Sequence, residues 1–172
     1  MILRFLPVLF ALAALPAFAQ EAPAAGPSQL SEVYGDWTLN CATAEGVRDC
    51  AITQALVDTE TRQHVLSIEL YAGEAGGLDG MMVLPFGLNF ARGAALAVDD
   101  AALGVPLPFL TCLPAGCLVP VTFTGPDADR LRAGTRLVVT GTGAAENDPV
   151  PLTLSLTGLT AASKRLTELA GR

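Results

Sequence analysis

Apolar and polar residues alternate at every second position in four stretches of the chain. The alternating apolar residues are Trp37, Leu39 and Cys41; Leu66, Ile68 and Leu70; Leu137 and Val139; and Leu152, Leu154 and Leu156. A period of two is typical of a strand with one buried face. Turn-forming residues separate these stretches, for example Glu45-Gly46, residues 73–80 and Pro114-Ala115-Gly116. The pattern predicts an all-β, single-domain fold, either an antiparallel β-sandwich or a partly closed barrel.

Helical patterning is confined to two short segments. Residues 127–132 are expected to make one helical turn after Pro126. Residues 161–169, after a candidate cap at Thr160, place Ala162, Leu166 and Leu169 on one stripe. We expect this short C-terminal helix to close one open side of the sheet structure.

The first 19 residues have the pattern of a signal peptide cleaved after Ala19. Arg4 precedes an apolar run over residues 5–15, and an A-x-A site follows. The run is shorter than the roughly 18 to 20 residues that a spanning helix needs. Residues 20–30, rich in Ala and Pro, are expected to be a disordered lead-in, and residues 31–172 to form the domain. The pattern predicts a periplasmic or secreted protein whose mature chain has no membrane-spanning segment.

The charge balance of the mature chain is acidic. Removal of residues 1–19 takes away Arg4 and leaves nine basic and 17 acidic side chains, a formal charge of −8. Nucleic-acid binding depends on Lys and Arg that neutralise phosphates, so this balance argues against a nucleic-acid partner. The acids are scattered along the chain, which is typical of a soluble, self-repelling surface.

Four cysteines form an even set, which in an exported chain indicates two structural disulfides. Three pairings exist in principle. Cys41 and Cys50 flank the turn at Glu45-Gly46, and Cys112 and Cys117 flank a turn-sized insert, so we expect two local disulfides.

Several motifs, taken in order, resemble one known family. They are Tyr34-Gly35-Asp36-Trp37 leading to Cys41, then Cys50, Leu84-Pro85-Phe86-Gly87, Pro108-Phe109-Leu110-Thr111-Cys112, Gly116-Cys117 and Leu156-Thr157-Gly158-Leu159-Thr160-Ala161-Ala162. Their order and spacing resemble the invasion-associated locus B family of bacterial exported proteins. The resemblance implies an exported all-β domain, linked in founding members to host-cell invasion and virulence, with no established enzymatic activity.

Catalytic and cofactor motifs are incomplete. His64, the single histidine, is interpreted as a solvent-facing strand residue, and Asp99-Asp100 as a polar turn. Asp127 is interpreted as a helix cap, since Leu131 and Arg132 stand where a calcium loop needs an oxygen ligand and a glycine. In Gly141-Thr142-Gly143 the third glycine of a dinucleotide loop is replaced by Glu146. We therefore predict no enzyme, no metal site and no cofactor.

Two features favour contact with a partner. Residues 81–86, including Met82 and Phe86, are apolar throughout, as in a strand buried on both faces or one whose outer face meets a partner. Leu113 and Pro114 lie in a tip held between two cysteines. The leading hypothesis is a non-enzymatic envelope protein that binds an envelope or host protein. The alternative is a periplasmic small-ligand carrier with an apolar cavity between the sheets, lined by residues 81–90.

Overall fold

The computed structural model describes residues 29–62 and 64–170. The predicted signal peptide and the predicted lead-in up to residue 28 lie outside the described residues. Eleven strands and two α-helices make up the described part, together with two single-turn 3-10 helices at Glu74–Gly76 and Phe90–Arg92. The strands and α-helices are β1 (Gln29–Tyr34), β2 (Trp37–Ala44), β3 (Val47–Val57), β4 (His64–Ala72), β5 (Leu78–Leu84), β6 (Ala94–Val98), β7 (Ala101–Leu107), β8 (Thr111–Leu113), β9 (Gly116–Phe123), α1 (Gly125–Ala133), β10 (Arg136–Thr142), β11 (Pro149–Ser155) and α2 (Leu159–Ala170).

The strands form two sheets. The large sheet has the order β1-β2-β3-β4-β5-β9-β8, and the small sheet has the order β11-β10-β6-β7. Neighbouring strands are antiparallel throughout. All four alternating stretches lie in strands, except that Leu156 falls just after β11, so the predicted all-β fold class is confirmed.

One continuous hydrophobic core lies between the two sheets and under α2. The large sheet contributes residues such as Leu39, Ile52 and Met82, and the small sheet contributes Val139 and Leu154. The C-terminal helix α2 packs against β1 to β4. Its buried residues include the predicted stripe of Ala162, Leu166 and Leu169, because a helix on a sheet buries one side of its 3.6-residue period.

Three local predictions are wrong in detail. Strand β1 begins at Gln29, so Gln29 and Leu30 belong to the sheet and not to the lead-in. Helix α1 begins at Gly125 with Thr124 at its N-cap position, because Pro126 fits the first turn of a helix. Asp127 is therefore inside the first turn and is not the cap.

Thr160 is not a cap either, because α2 already begins at Leu159. Its hydroxyl donates to the carbonyl oxygen of Arg132 at 2.7 Å and thereby ties α2 to the last turn of α1.

Candidate functional site

Both disulfides join neighbouring strands. Cys41 pairs with Cys50 across β2 and β3, and Cys112 pairs with Cys117 across β8 and β9. Their Cα atoms are 4.0 Å and 3.9 Å apart. The predicted local pairing is confirmed. No cysteine in the described part of the chain is free, so none there offers a thiolate for nucleophilic chemistry.

The acidic residues Asp99 and Asp100 lie in the turn between β6 and β7. The Asp99 carboxylate accepts from the hydroxyl of Thr135 and, at 3.2 Å each, from the backbone N–H groups of Thr135 and Arg136. The Thr135 hydroxyl, more than the other contacts, lowers the pKa of Asp99 below its ordinary value. Asp100 pairs with Arg136 at 2.9 Å. Both carboxylates thus hold the turn against β10.

The other chemical candidates also have structural surroundings. His64 is exposed at the first position of β4. Asp127 and Asp129 pair within α1, with Arg130 at 3.6 Å and Arg132 at 3.4 Å. Strand β11, not a helix, follows the stretch from Gly141 to Gly143. No group of three or more His, Cys, Asp or Glu close enough to hold a metal occurs within residues 29–62 and 64–170.

Four exposed apolar side chains lie in β8, just before it, or in the segment that follows β5. We call Phe86, Phe90, Leu110 and Leu113 the apolar end; their exposed fractions are 61%, 47%, 63% and 51%. Phe86 follows β5, Leu110 directly precedes β8, and Leu113 is the last residue of β8. Strand β9 pairs with β5 on one side and with β8 on the other. Its Cys117 lies opposite Leu84 of β5 and opposite Cys112 of β8. The register therefore places Phe86 and β8 at the same corner.

Rigid neighbours support the apolar end. The ring of Phe90 stacks on that of Phe109, with centroids 4.6 Å apart. The backbone N–H of Leu110 donates to the carbonyl oxygen of Leu118 at 2.8 Å. Together with the disulfide between Cys112 and Cys117, these contacts fix the backbone on which the exposed side chains stand.

The structure separates the residues that were predicted to contact a partner. Phe86 and Leu113 are exposed, and Pro114 is exposed in the turn after β8. The prediction for Met82 is wrong, because its side chain is fully buried and points into the core with its neighbour Leu84. Sequence reasoning missed Phe90 and Leu110 as surface residues, because they lie outside any alternating stretch and their exposure depends on tertiary packing.

The first and last of the motifs that carry the family resemblance meet at a junction between β2, β3 and the end of β11. The indole Nε1 of Trp37 donates to the carbonyl oxygen of Ser155 at 3.0 Å. The Gln54 amide donates to the same oxygen at 2.9 Å and accepts from the Ser155 N–H at 3.0 Å. The backbone N–H of Asp36 donates to the carbonyl oxygen of Thr157 at 3.1 Å. The first and last motifs therefore have a structural role, since they join the two sheets.

Neither helix in the described ranges is both long and apolar enough to cross a lipid bilayer.

Comparisons with known proteins agree with this architecture. The family model described as invasion associated locus B (IalB) protein matches residues 37–167. An invasion protein B homologue from Brucella abortus is 42% identical over 159 residues, which cover 92% of this chain and 91% of the relative. Invasion protein B of Bartonella bacilliformis is 35% identical over 146 residues, which cover 84% of this chain and 78% of that protein.

A solved structure shares the fold. The crystal structure of invasion associated protein b from Bartonella henselae superposes with a TM-score of 0.77 at 31% identity, covering 83% of this chain and 97% of that one. Together, the two disulfides, the junction of the first and last motifs and these similarities show that the chain belongs to the invasion associated locus B family.

Proposed function

We propose that this chain is an exported, non-enzymatic protein that acts by binding another protein, either of the bacterial envelope or of a host cell. Its relatives are named for invasion and not for a reaction, and disulfides persist in oxidising compartments outside the cytoplasm. We place its destination in the periplasm or outside the cell, after cleavage behind Ala19.

The observation that carries the binding role is the apolar end. A water-exposed group of two Phe and two Leu side chains is a feature of interaction sites, because isolated apolar residues are common on surfaces but clusters are not. The backbone beneath it is held by a disulfide and an aromatic stack, so little conformational entropy is lost when a partner binds. We therefore propose Phe86, Leu113 and Pro114 as contact residues, together with Phe90 and Leu110.

The carrier hypothesis lacks comparable support. Two of the residues expected to line a cavity between the sheets, Met82 and Leu84, are 0% and 1% exposed and fill the core with their own side chains. Three grooves on the described part of the protein are open to solvent, and none of them is lined by residues 81–90. A thermal-shift screen against small apolar compounds separates the two functions, because a ligand that occupies a cavity raises Tm.

The binding role is tested by cross-linking the tagged protein in its own cell envelope and on host cells. We expect one or a few proteins to be recovered with the native chain and to be reduced roughly ten-fold with Phe86→Ser combined with Leu113→Ser, the loss that about 1.4 kcal/mol of binding energy predicts.

The matched control is Val47→Ser, which removes an equally exposed apolar side chain, 70% exposed, from the tip of the hairpin at the opposite end of the large sheet. Circular dichroism checks that each variant folds. Equal recovery with all three proteins, or no specific recovery with any, would reject the proposal.

A further inference from the structure

The large sheet has one face that nothing in the described structure covers. Helix α2 and the small sheet lie on its inner face, where alternate residues such as Leu39, Ile52 and Leu66 are buried. The residues that alternate with these point outward, and among those in the described strands only Ala51 and Gly116 are buried. The solvent-facing side of a sheet is normally polar. Apolar residues on this side therefore indicate a surface that a partner covers.

Strand register shows which outward residues are neighbours. Tyr71 lies opposite Asp79 and lines the same groove as Ala51. In the next row Thr53 lies opposite Glu69, and Glu69 lies opposite Met81. Neighbouring strands are about 4.8 Å apart, so side chains that are distant in sequence form one surface.

One part of this outer face is an acidic groove. It has a volume of about 540 Å³ and is lined by side chains that include Asp49, Glu69 and Tyr71, with the small residues Ala42 and Ala51 between them. The Tyr71 hydroxyl donates to Oε1 of Glu69 at 2.7 Å. That hydrogen bond, then burial, then the charges of Glu69 and Asp49 raise the pKa of Tyr71 to about 12, because each disfavours a phenolate there.

The adjoining part is apolar. Val65, Met81, Val83 and Leu118 are half-buried and Pro120 is exposed, all on the same outward side. This apolar field starts at Met81, directly beside Glu69. No Lys or Arg occupies an outward position on the large sheet among residues 29–57, 64–84 and 111–123.

The negative charge of the outer face determines which kind of partner can bind there. Carboxylates with no basic residue on the same face repel a second copy of this acidic chain and an anionic lipid surface. They attract a cation. A partner that also covers the neighbouring apolar side chains gains binding free energy, because that apolar surface is removed from water. We propose that this outer face binds an extended cationic segment of a partner protein, with a Lys or Arg side chain beside Asp49 and Glu69 and an apolar side chain on Met81 and Val83.

This inference rests on the proposed function, since it names the partner's chemistry. It adds a second surface to the apolar end, on the same large sheet. An extended segment with Lys and Val two residues apart suits it, because such residues point to the same side of the segment, about 7 Å from each other.

The test is an NMR titration of the mature, isotope-labelled protein with a short synthetic peptide in which Lys and Val alternate with Ser. We expect shift changes at Asp49, Glu69, Tyr71, Met81 and Val83, and weaker binding as salt is raised. Two comparison peptides carry Glu in place of Lys, or Ser in place of Val, and both should bind less tightly.

Asp49→Asn combined with Glu69→Gln should weaken peptide binding about five-fold, as expected for the loss of two exposed charge pairs. The matched control, Asp129→Asn combined with Glu146→Gln, removes the same number of charges away from this face and should leave binding unchanged. Equal weakening by both pairs, equal binding of the Glu peptide, or shift changes only at other surfaces would overturn the inference. So would binding of this face to anionic phosphatidylglycerol vesicles or to itself, without peptide binding.

Failure here is distinguishable from failure of the proposed function. If cross-linking recovers a partner whose binding responds to Phe86→Ser with Leu113→Ser but not to the change at Asp49 and Glu69, the binding role stands and this inference falls. If no partner is recovered but the peptide still binds as described, the outer face is supported and the proposed function loses its support.

Discussion

At the scale of single residues, Gly158 determines how closely the start of α2 approaches the turn after β1. Its φ is +93°, and a Cβ atom at this position would lie 1.9 Å from the carbonyl oxygen of Tyr34. No side chain fits there, because the obstacle is backbone and not a movable side chain. Glycine is needed both for its left-handed conformation and for the lack of a Cβ atom.

Replacement of this glycine by alanine should therefore destabilise the protein strongly. We expect Gly158→Ala to lower the free energy of unfolding by about 3 kcal/mol or more, which combines backbone strain with displacement of Tyr34. The matched control is Gly46→Ala, whose φ of +80° is similar but whose Cβ would meet nothing within 4 Å. The control should cost only about 1 kcal/mol. Urea unfolding measures both, and equal losses would contradict the steric explanation.

Sequence reasoning at this scale identifies buried residues better than polar connections. Trp37 and Leu39 are predicted correctly to point inward, since alternation alone reveals a buried face. The role of Gln54 is not predictable in the same way. Its partner Ser155 lies 101 residues away in sequence, and nothing in the local pattern states which distant carbonyl group an amide will meet.

At the scale of elements, predictability follows burial. Central strands such as β4 bury alternate residues and give a clear period of two. Two of the edge strands do not: β1 has no fully buried residue, and β7 has only Leu103. Sequence reasoning did not find either strand by alternation, because few of their side chains face the core.

The hairpin of β8 and β9 provides a prediction at the element scale. Cys112→Ala combined with Cys117→Ala should lower the free energy of unfolding by about 2 kcal/mol, the chain-entropy value for so short a loop, while the protein still folds. It should also loosen Leu113 and so weaken binding through the apolar end.

Cys41→Ala combined with Cys50→Ala serves as the comparison, since it costs a similar stability but leaves the apolar end unchanged. Urea unfolding and the cross-linking assay together distinguish the two effects. Equal loss of binding in both variants would show that the Cys112–Cys117 disulfide has no special role at the apolar end.

At the scale of the whole molecule, an ion pair connects the two ends of the described chain. Arg165 of α2 donates from Nε and Nη2 to the two carboxylate oxygens of Glu32 in β1, at 3.0 Å each. The Tyr34 hydroxyl donates to the same carboxylate at 2.6 Å. The Arg165 contact first, and then Tyr34, hold the pKa of Glu32 below its ordinary value of 4.5.

This lowered pKa sets the sign of a pH dependence. The folded state binds fewer protons on Glu32 than the unfolded state does, so the stabilising contribution is fully present above pH 4.5 and is lost as the pH falls through the lowered pKa. We expect Glu32→Gln to lower Tm at pH 7 by a few degrees, with the difference from the native protein shrinking below pH 4. Thermal unfolding across this range measures it. Glu146→Gln, in an exposed loop, should not change the acid slope, and a constant difference at all pH values would contradict the assignment.

Strand order is the least predictable feature at this scale. The sequence indicates hairpins between consecutive strands. In the structure β9 pairs with β5, although β6 and β7 of the small sheet lie between them in the chain. The acidic groove depends on that same kind of information, because the pairing of β3 with β4 is what brings Asp49 and Glu69 to one groove. Alternation within a strand shows which residues face outward. It does not show which residues of other strands lie beside them.

The docking of α2 on β1 to β4 also has a consequence for the timing of folding. Ribosomes make a chain from its N-terminus, so the first four strands exist before the helix that covers their inner face. Until α2 has been made, the inner face of these strands, with Leu39, Ile52 and Leu66, lacks part of its cover. We therefore expect the first four strands to stay incompletely packed, and open to aggregation, until the helix docks on them.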